Sequence, residues 1–206
     1  MWCMARFWQK YNKFSRVNNM NIIIHGLPAS GKTTTILSCL SEKQFTFTPE
    51  LFKFFSPETV GREFETVFEK DQLREDYIQT ISKGRLVISE RDHLSTFAYH
   101  VAKGRTELKS KFLKLQHTLV TPDAYVYFII PSKLSSERRT KREYHVFDDG
   151  SVKFLSLFQK YCMEFIRQSG VKYYLLDATV SESECRNQLL EIIKRCEKNG
   201  KQKKPV

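Results

Sequence analysis

The sequence has few cysteines, and their spacing matches no disulfide or metal-binding motif. Five cysteines occur in 206 residues, widely spaced and without a C-x-x-C pair, so neither a zinc site nor a disulfide framework is predicted. The simplest inference from this cysteine pattern is a reducing compartment, and we predict a cytoplasmic protein. No run approaches roughly 18 consecutive apolar residues, which excludes a membrane span and predicts no membrane partner. A hydrophobic fraction of 41% excludes a disordered or low-complexity chain.

Acidic residues are missing from the start of the chain, where the first one is Glu42. Residues 1–19 carry a charge of +4, with basic side chains interleaved among aromatic ones. This composition makes a mitochondrial presequence a lesser alternative to the cytoplasm, because the arginines and serines are too few to favour it. Met20 stands directly before an apolar strand, so residues 1–19 are predicted to be a basic extension.

The positive charge lies mainly at the two ends. The formal charge is +11; residues 1–19 hold +4 and residues 194–206 hold +5, which leaves +2 for residues 20–193. A basic protein first suggests that nucleic acid or an acidic substrate is the partner. Here only the two basic ends remain candidates for binding nucleic acid. We predict a folded domain over 20–194 and a basic, disordered tail over 195–206.

Short apolar strands alternate with helical patterns between these ends. Helical spacing is clearest in residues 57–82, 94–101, 108–119, 133–142, 152–168 and 182–194. Buried strands are predicted at residues 21–25, 45–48, 86–89, 125–130 and 173–176. This alternation predicts an α/β fold, a five-stranded parallel sheet with helices on both faces.

A phosphate-binding loop follows the first strand. The segment 26–33, GLPASGKT, fits G-x-x-x-x-G-K-[ST] and stands between a strand and a helix. Glycines allow backbone N–H groups to surround phosphate oxygens, Lys32 would reach the β- and γ-phosphates, and the Thr33 hydroxyl would hold Mg²⁺. The predicted ATP site comprises Gly26, Leu27, Pro28, Ala29, Ser30, Gly31, Lys32, Thr33 and Thr34. The loop predicts the three-layer P-loop NTPase fold with ATP and Mg²⁺ as cofactors, and the short chain favours a small-molecule kinase.

Downstream motifs resemble the thymidylate kinase family. In residues 84–100, GRLVISERDHLSTFAYH, a strand ends in Glu90-Arg91 and is followed by Ser95 and by Ala98-Tyr99-His100. The family has Asp-Arg, then Ser, then Ala-Tyr-Gln; deoxynucleoside kinases, of the same superfamily, have Glu-Arg as here. Pro131 followed by Arg138-x-x-x-Arg142 is similar to the superfamily's lid helix, so a basic lid is expected at about 131–150.

Chemical roles follow for the residues in these motifs. Glu90, at the carboxyl end of a strand, would hold Mg²⁺ through water, and Arg91 would clamp an acceptor phosphate. Glu50 would accept the proton of a 5′-hydroxyl or orient the substrate, while Arg138 and Arg142 would stabilise the transferred phosphoryl group. We therefore predict the catalytic residues to be Lys32, Glu50, Glu90, Arg91, Arg138 and Arg142, with Thr33 and Glu90 at the metal.

The resemblance also implies an acceptor site. A helix over Phe68–Tyr77 would read the base, Phe68 packing on it and Gln72 or Arg74 bonding it, while Ser95 and Tyr99 would line the acceptor side beside Arg91. Two departures stand out: His25 occupies a position that is often Glu in the family, and Pro28 one that is often Asp. Since that Asp approaches the acceptor sugar, its absence argues against thymidylate as the acceptor.

These observations rank several functions. The leading prediction is an ATP-dependent nucleoside monophosphate kinase, similar to thymidylate kinase, with a small-molecule nucleotide or nucleoside as partner. A deoxynucleoside kinase is the alternative that Glu90 and Glu50 favour, and a polynucleotide 5′-kinase is one that the loop and the basic ends favour. A nucleotide-binding switch or degenerate kinase is the non-enzyme alternative. Members of the family are often dimers, which is the ground for a homodimer here.

Overall fold

The computed structural model describes residues 20–54, 63–141 and 150–202. Its strands are β1 (Met20–Gly26), β2 (Thr46–Thr48), β3 (Leu86–Glu90), β4 (Ala124–Ile129) and β5 (Tyr173–Asp177). Its helices are α1 (Lys32–Cys39), α2 (Leu51–Phe54), α3 (Phe64–Ile81), α4 (His93–Ala102), α5 (Leu108–Leu115), α6 (Ser132–Thr140), α7 (Val152–Gln168) and α8 (Glu182–Gln202). The predicted extension 1–19, Arg142 and most of the lid segment after it lie outside the described residues.

The strands form a five-stranded parallel sheet in the order β2-β3-β1-β4-β5, which confirms the predicted α/β fold. Every residue of β1 is buried, so both faces of the central strand are covered. On one side α1 packs with α8, and on the other α4 packs with α3, α5 and α7. Continuous apolar strands such as β1 are typical of parallel sheets covered on both faces.

An aromatic cluster holds the larger group of helices together. The Phe97 ring of α4 lies 4.9 Å from Phe64 of α3, 5.3 Å from Phe112 of α5 and 6.3 Å from Phe165 of α7, centroid to centroid. All four side chains are almost completely buried. Aromatic rings in edge-to-face contact stabilise a core beyond the area they bury, so this cluster fixes α3 and α4 beside the sheet.

The sheet order places the functional motifs at one edge. Ile24 of β1 pairs with Glu90 of β3, so the carboxyl ends of these neighbouring strands lie at the same level. The phosphate loop follows β1 and the Glu90-Arg91 pair ends β3. Ligands of open parallel sheets bind at the carboxyl ends of the strands, and this edge is therefore where a site is expected.

The last helix extends further than the sequence pattern predicts. The prediction of a domain that ends at 194 and a disordered tail from 195 is wrong up to Gln202, because α8 continues to that residue. Cys196 is buried beside Leu189 and Ile193 in the hydrophobic core, and Glu197 forms an ion pair with Lys43. The first turn beyond the predicted end of the domain is therefore packed against the core and paired with Lys43, which follows α1.

Within the described part of the chain, no helix combines the length and the apolar character that crossing a membrane requires.

Truncation tests the added turns of α8. A chain that ends at Lys194 should lose about 1–2 kcal/mol of unfolding free energy, because Cys196 and the Glu197–Lys43 ion pair are removed. The control is a chain that ends at Gln202. Urea denaturation measures the difference, and equal midpoints for the two chains would show that residues 195–202 contribute nothing to the fold.

Candidate active site

The phosphate loop makes a tight turn between β1 and α1. Gly26 has φ +149°, and a Cβ atom there would lie 2.9 Å from the Cβ of Phe128 on the neighbouring strand. Gly31, directly before α1, has φ +88°, and Ala29 also has a left-handed backbone at φ 54°. Only glycine tolerates the contact at Gly26, and glycine adopts positive φ most readily. The glycines of the motif therefore give the loop its shape.

Lys32 lies at the centre of this loop. Its Nζ atom is 2.9 Å from the carbonyl oxygen of Leu27 and 3.4 Å from both the carbonyl oxygen of Gly26 and Oγ of Ser30. The residue is buried, and it begins α1, whose first N–H groups have no partner within the helix. A buried ammonium at the positive end of a helix dipole is an anion-binding arrangement, as the motif predicts. Thr34, two residues later in the same turn of α1, is exposed.

A hydroxyl–carboxylate contact connects the loop with β3. Thr33 Oγ1 donates to Glu90 Oε1 at 2.5 Å, and Glu90 is completely buried. Mg²⁺ prefers oxygen ligands and is usually held by one or two carboxylates together with substrate phosphates. The donor set of Thr33 and Glu90 therefore fits the predicted metal, which would neutralise phosphate charge beside the loop.

Glu50 and Arg91 form the acceptor side of the same edge. Arg91 Nε lies 3.3 Å from Glu50 Oε2 in an ion pair whose side chains are 20% and 24% exposed. The backbone N–H of Glu50 donates to Glu90 Oε2 at 3.4 Å. Arg91 has a left-handed backbone, φ 57°, and its N–H donates to the Ile24 carbonyl at 3.0 Å. Three residues predicted as catalytic from separate motifs are thus brought together in front of the phosphate loop.

Aromatic side chains border this ion pair. The guanidinium carbon of Arg91 lies 5.6 Å from the centroid of the Phe158 ring, and Tyr99 contacts the same ring edge-to-face at 6.3 Å. Tyr99 is half-buried and is connected to Arg91 through the Phe158 ring, so its role at an acceptor stays a prediction. Sequence reasoning missed Phe158, because the amphipathic pattern of α7 indicates only that it is a core residue.

Other predicted acceptor residues lie elsewhere. Phe68 is half-buried and stacks on Phe64 at 5.4 Å, so its ring forms part of the aromatic core. Gln72 is exposed on the outer face of α3. Ser95 is buried, with its Oγ 2.9 Å from Nδ1 of His25. The structure therefore does not bring Gln72 to the site, and it pairs the Ser95 hydroxyl with His25.

Arg74 also differs from the expectation. It is buried on α3, where Nη1 donates to the carbonyl of Arg91 at 2.9 Å and Nη2 donates to the carbonyl of Glu90 at 2.6 Å. The predicted role, hydrogen bonding to an acceptor base, would need these donors. They bond instead to the backbone at the end of β3, because the helical register turns Arg74 toward the sheet while Gln72 faces away.

The basic helix α6 is attached to the loop. Ser135 is completely buried and donates from Oγ to the carbonyl of Pro28 at 2.7 Å. Arg138 Nη1 donates to the carbonyl of Ala178 after β5 at 3.3 Å, and the guanidinium of Arg139 lies against Gly150. Arg138 is thus near the phosphate loop on the side opposite Glu50. Arg142, its predicted partner, lies outside the described residues.

Behind Arg91, buried polar groups link α3, α4 and β4. His25 Nε2 lies 3.1 Å from Asp92 Oδ1, and the Tyr125 hydroxyl donates to Asp92 Oδ2 at 3.0 Å. His93 Nδ1 lies 2.8 Å from both carboxylate oxygens of Glu75. Although ligand atoms of Glu75, Asp92 and His93 lie within 4.8 Å of one another, these hydrogen bonds already use them. We interpret the group as an internal ion network rather than a metal centre.

Charges in this network shift its titration. Burial by itself lowers the pKa of His93, but the charges of Glu75 and Asp92 outweigh it and raise the pKa to about 9. Burial raises the pKa of Asp71, whose carboxylate accepts from the Thr96 hydroxyl, to about 7. Burial works against ionisation of Asp92 too, yet His25 and His93 hold its pKa well below the usual range. His93 is therefore the buried cation of the network at neutral pH.

Stability should consequently fall as the pH rises. The folded pKa of His93, about 9, exceeds its ordinary value of 6.5, so its stabilisation is complete below pH 6.5 and is lost as the pH rises through 9. Asp71, raised to about 7, acts in the same direction. Between pH 6.5 and 8.5 the unfolding free energy should decrease by about 2 kcal/mol or more in urea titrations. His93→Gln should flatten this slope, and a wild-type stability that increases over that range would contradict the assignment.

Comparisons with known proteins agree with this geometry. Residues 55–189 match the sequence model of the thymidylate kinase family, downstream of the phosphate loop. No curated protein sequence is significantly similar to the chain.

Among solved structures, a deoxyadenosine kinase from M. mycoides with the products dCMP and a flexible dCDP bound has a TM-score of 0.64 and 15% identity. Structures of deoxyadenosine kinase from M. mycoides with bound dATP and with bound dCTP have TM-scores of 0.63 and 0.60, at 14% and 16% identity. Each alignment covers 85% of this chain and 100% of the other. At this identity the likeness is one of fold, and it agrees with the predicted P-loop architecture.

The family match spans more than half of the chain and includes β3, the basic helix α6 and β5. Together with the assembled loop, it supports a phosphotransferase of the nucleoside or nucleotide kinase type. The chain belongs to the thymidylate kinase family.

Proposed function

We propose that this protein transfers the γ-phosphate of ATP to the 5′-hydroxyl of a nucleoside, with deoxynucleosides as the first candidates. The observation that carries the proposal is the ion pair between Glu50 and Arg91, 3.3 Å from Oε2 to Nε, in front of the phosphate loop. This proposal favours the deoxynucleoside kinase, an alternative that the sequence left open, over the nucleoside monophosphate kinase that the sequence ranked first.

The donor half of the site supports ATP. Lys32 and the beginning of α1 supply positive charge to the β- and γ-phosphates. Mg²⁺, held by the oxygens of Thr33 and Glu90, would neutralise charge on the transferred phosphoryl group. Arg138 lies one turn after Ser135 on α6, the helix that is bonded to Pro28 of the loop, and would approach the same phosphates.

The acceptor half decides between a hydroxyl and a phosphate. A 5′-hydroxyl must lose a proton on attack, and a carboxylate within hydrogen-bond reach accepts it. Glu50 meets that need because Arg91 and the contact of its N–H with Glu90 fix its position. A phosphate acceptor brings its own anionic oxygens, needs no base, and would face the repulsion of Glu50.

The structural neighbours support the same choice. The deoxyadenosine kinase from M. mycoides has this fold over 85% of the chain and was solved with deoxynucleotides bound. Thymidylate as acceptor is further disfavoured because Pro28, whose carbonyl accepts from Ser135, occupies the position of the family's sugar-binding Asp.

A nucleoside monophosphate remains the second candidate, and Arg91 is the observation that favours it. Its side chain is 20% exposed, and a guanidinium fork binds phosphate in bidentate fashion. In such a reaction Arg91 would leave Glu50 and bind the acceptor phosphate, and Glu50 would only orient the sugar.

An acceptor panel tests the proposal. Purified protein with Mg-ATP should form ADP and a labelled product with a deoxynucleoside, and much less with deoxynucleoside monophosphates or 5′-hydroxyl oligonucleotides. Labelling of monophosphates alone would establish the second candidate, and labelling of oligonucleotides alone a polynucleotide kinase. Binding of ATP without any product across the panel would instead show a nucleotide-binding switch.

Glu50 offers a separate test of the base. Glu50→Gln keeps the size of the side chain but removes the proton acceptor, so kcat with a nucleoside should fall about 10²–10⁴-fold. Glu65→Gln, on the exposed surface of α3, is the matched control and should leave kcat unchanged. Kinetics at saturating ATP measure both, and a kcat for Glu50→Gln within threefold of wild type would exclude Glu50 as the base.

A further inference from the structure

The helix α3 brings charged side chains to the end of β3. Asp71, Arg74 and Glu75 are each at most 6% exposed, although charged residues are seldom buried this deeply. Arg74 donates from Nη2 to the Glu90 carbonyl at 2.6 Å and from Nη1 to the Arg91 carbonyl at 2.9 Å. A single guanidinium thus binds two consecutive carbonyls of the catalytic segment.

Arg91 needs such support because of its backbone. Its φ of 57° lies in the left-handed region, which an L-residue with a Cβ adopts only when surrounding contacts hold it there. The Arg91 N–H is bonded to Ile24 of β1, and its carbonyl is bonded to Arg74. This conformation sets the direction in which the Arg91 side chain leaves the sheet toward Glu50.

We propose that Arg74 is a positioning residue for phosphoryl transfer: it holds the left-handed turn at Arg91 and thereby the Glu50–Arg91 pair. The inference rests on the proposed function. Because its Nη1 and Nη2 atoms bond to the backbone of Arg91 and Glu90, Arg74 would act through Arg91. The planar fork suits two neighbouring carbonyls, whereas a lysine ammonium lacks this fork geometry.

The first test is kinetic. Arg74→Lys keeps the charge but loses the fork, and it should lower kcat about 10-fold; Arg74→Met should lower it about 100-fold, both with unchanged KM for ATP. A double-mutant cycle then separates positioning from stability. In an Arg91→Ala background the Arg74 replacements should lower kcat less than threefold further, because there is no Arg91 side chain left to direct.

Ile78→Ala is the matched control for the cycle. Ile78 lies one turn further along the buried face of α3 at 1% exposure, so its truncation destabilises the same helix and leaves the hydrogen bonds of Arg74 to Glu90 and Arg91 in place. Ile78→Ala should reduce kcat only slightly, and by the same factor in the wild-type and Arg91→Ala backgrounds. If Arg74→Lys and Arg74→Met also reduced kcat by the same factor in both backgrounds, the proposal would be overturned and Arg74 would be a purely structural residue.

Hydrogen exchange gives a readout that does not need activity. The Arg91 amide, bonded to Ile24, should exchange at least tenfold faster in Arg74→Lys than in an Ile78→Ala chain of similar stability. Equal exchange rates of the Arg91 amide in the two variants would show that Arg74 does not hold the turn at Arg91, which would overturn the proposal. A wild-type chain that phosphorylates nothing in the acceptor panel would overturn the proposed function instead, and with it the role of Arg74 in transfer, even if the exchange result held.

Discussion

The hydrogen bond from Thr33 to Glu90 joins the two halves of the site. Thr33 belongs to the phosphate loop after β1, and Glu90 ends the neighbouring strand β3. The bond forms because β1 and β3 are adjacent and in a register that pairs Ile24 with Glu90. Through its second oxygen Glu90 also accepts from the N–H of Glu50. The buried carboxylate of Glu90 thus fixes the distance between the phosphate loop and Glu50, the proposed proton acceptor. A flexible contact on the surface could not fix this distance.

Burying that carboxylate requires an equally ordered environment. The segment after Glu90 turns sharply at Arg91 and then begins α4, where Asp92 accepts from the N–H of Leu94 as the N-cap. Asp92 also binds His25 and Tyr125, which tie the beginning of the helix to β1 and β4. Breaking one member of a buried ion network costs more than the network contributes as a whole. The network therefore gives a unique geometry to the Arg91 turn more than it gives stability.

The sequence predicted the donor half of the site better than the acceptor half, for physical reasons. Loop residues 26–33 are contiguous, so spacing alone predicts their arrangement. The acceptor side gathers Glu50, Arg91 and Phe158 from three distant segments, and only the first two stood in a motif. Arg74 was expected at the nucleobase from the family resemblance, which does not fix the register of α3, and that register turns Arg74 toward the end of β3. The last turns of α8 were missed because a single buried side chain, Cys196, continues the helix through basic residues.

Charge distribution supports the proposal of an uncharged acceptor. On the proposed donor side, Lys32 lies within the phosphate loop, and Arg138 lies on α6, the helix whose Ser135 bonds to Pro28 of that loop. On the acceptor side the charge of Arg91 is matched by Glu50 at 3.3 Å. A phosphate placed there would have to compete with a carboxylate that the backbone of Glu50 and the bond to Glu90 already hold in position. In the proposed reaction a hydroxyl would not need to displace Glu50 from Arg91 and would use the Glu50 carboxylate as its proton acceptor, so the contact that would obstruct a charged acceptor would activate an uncharged one.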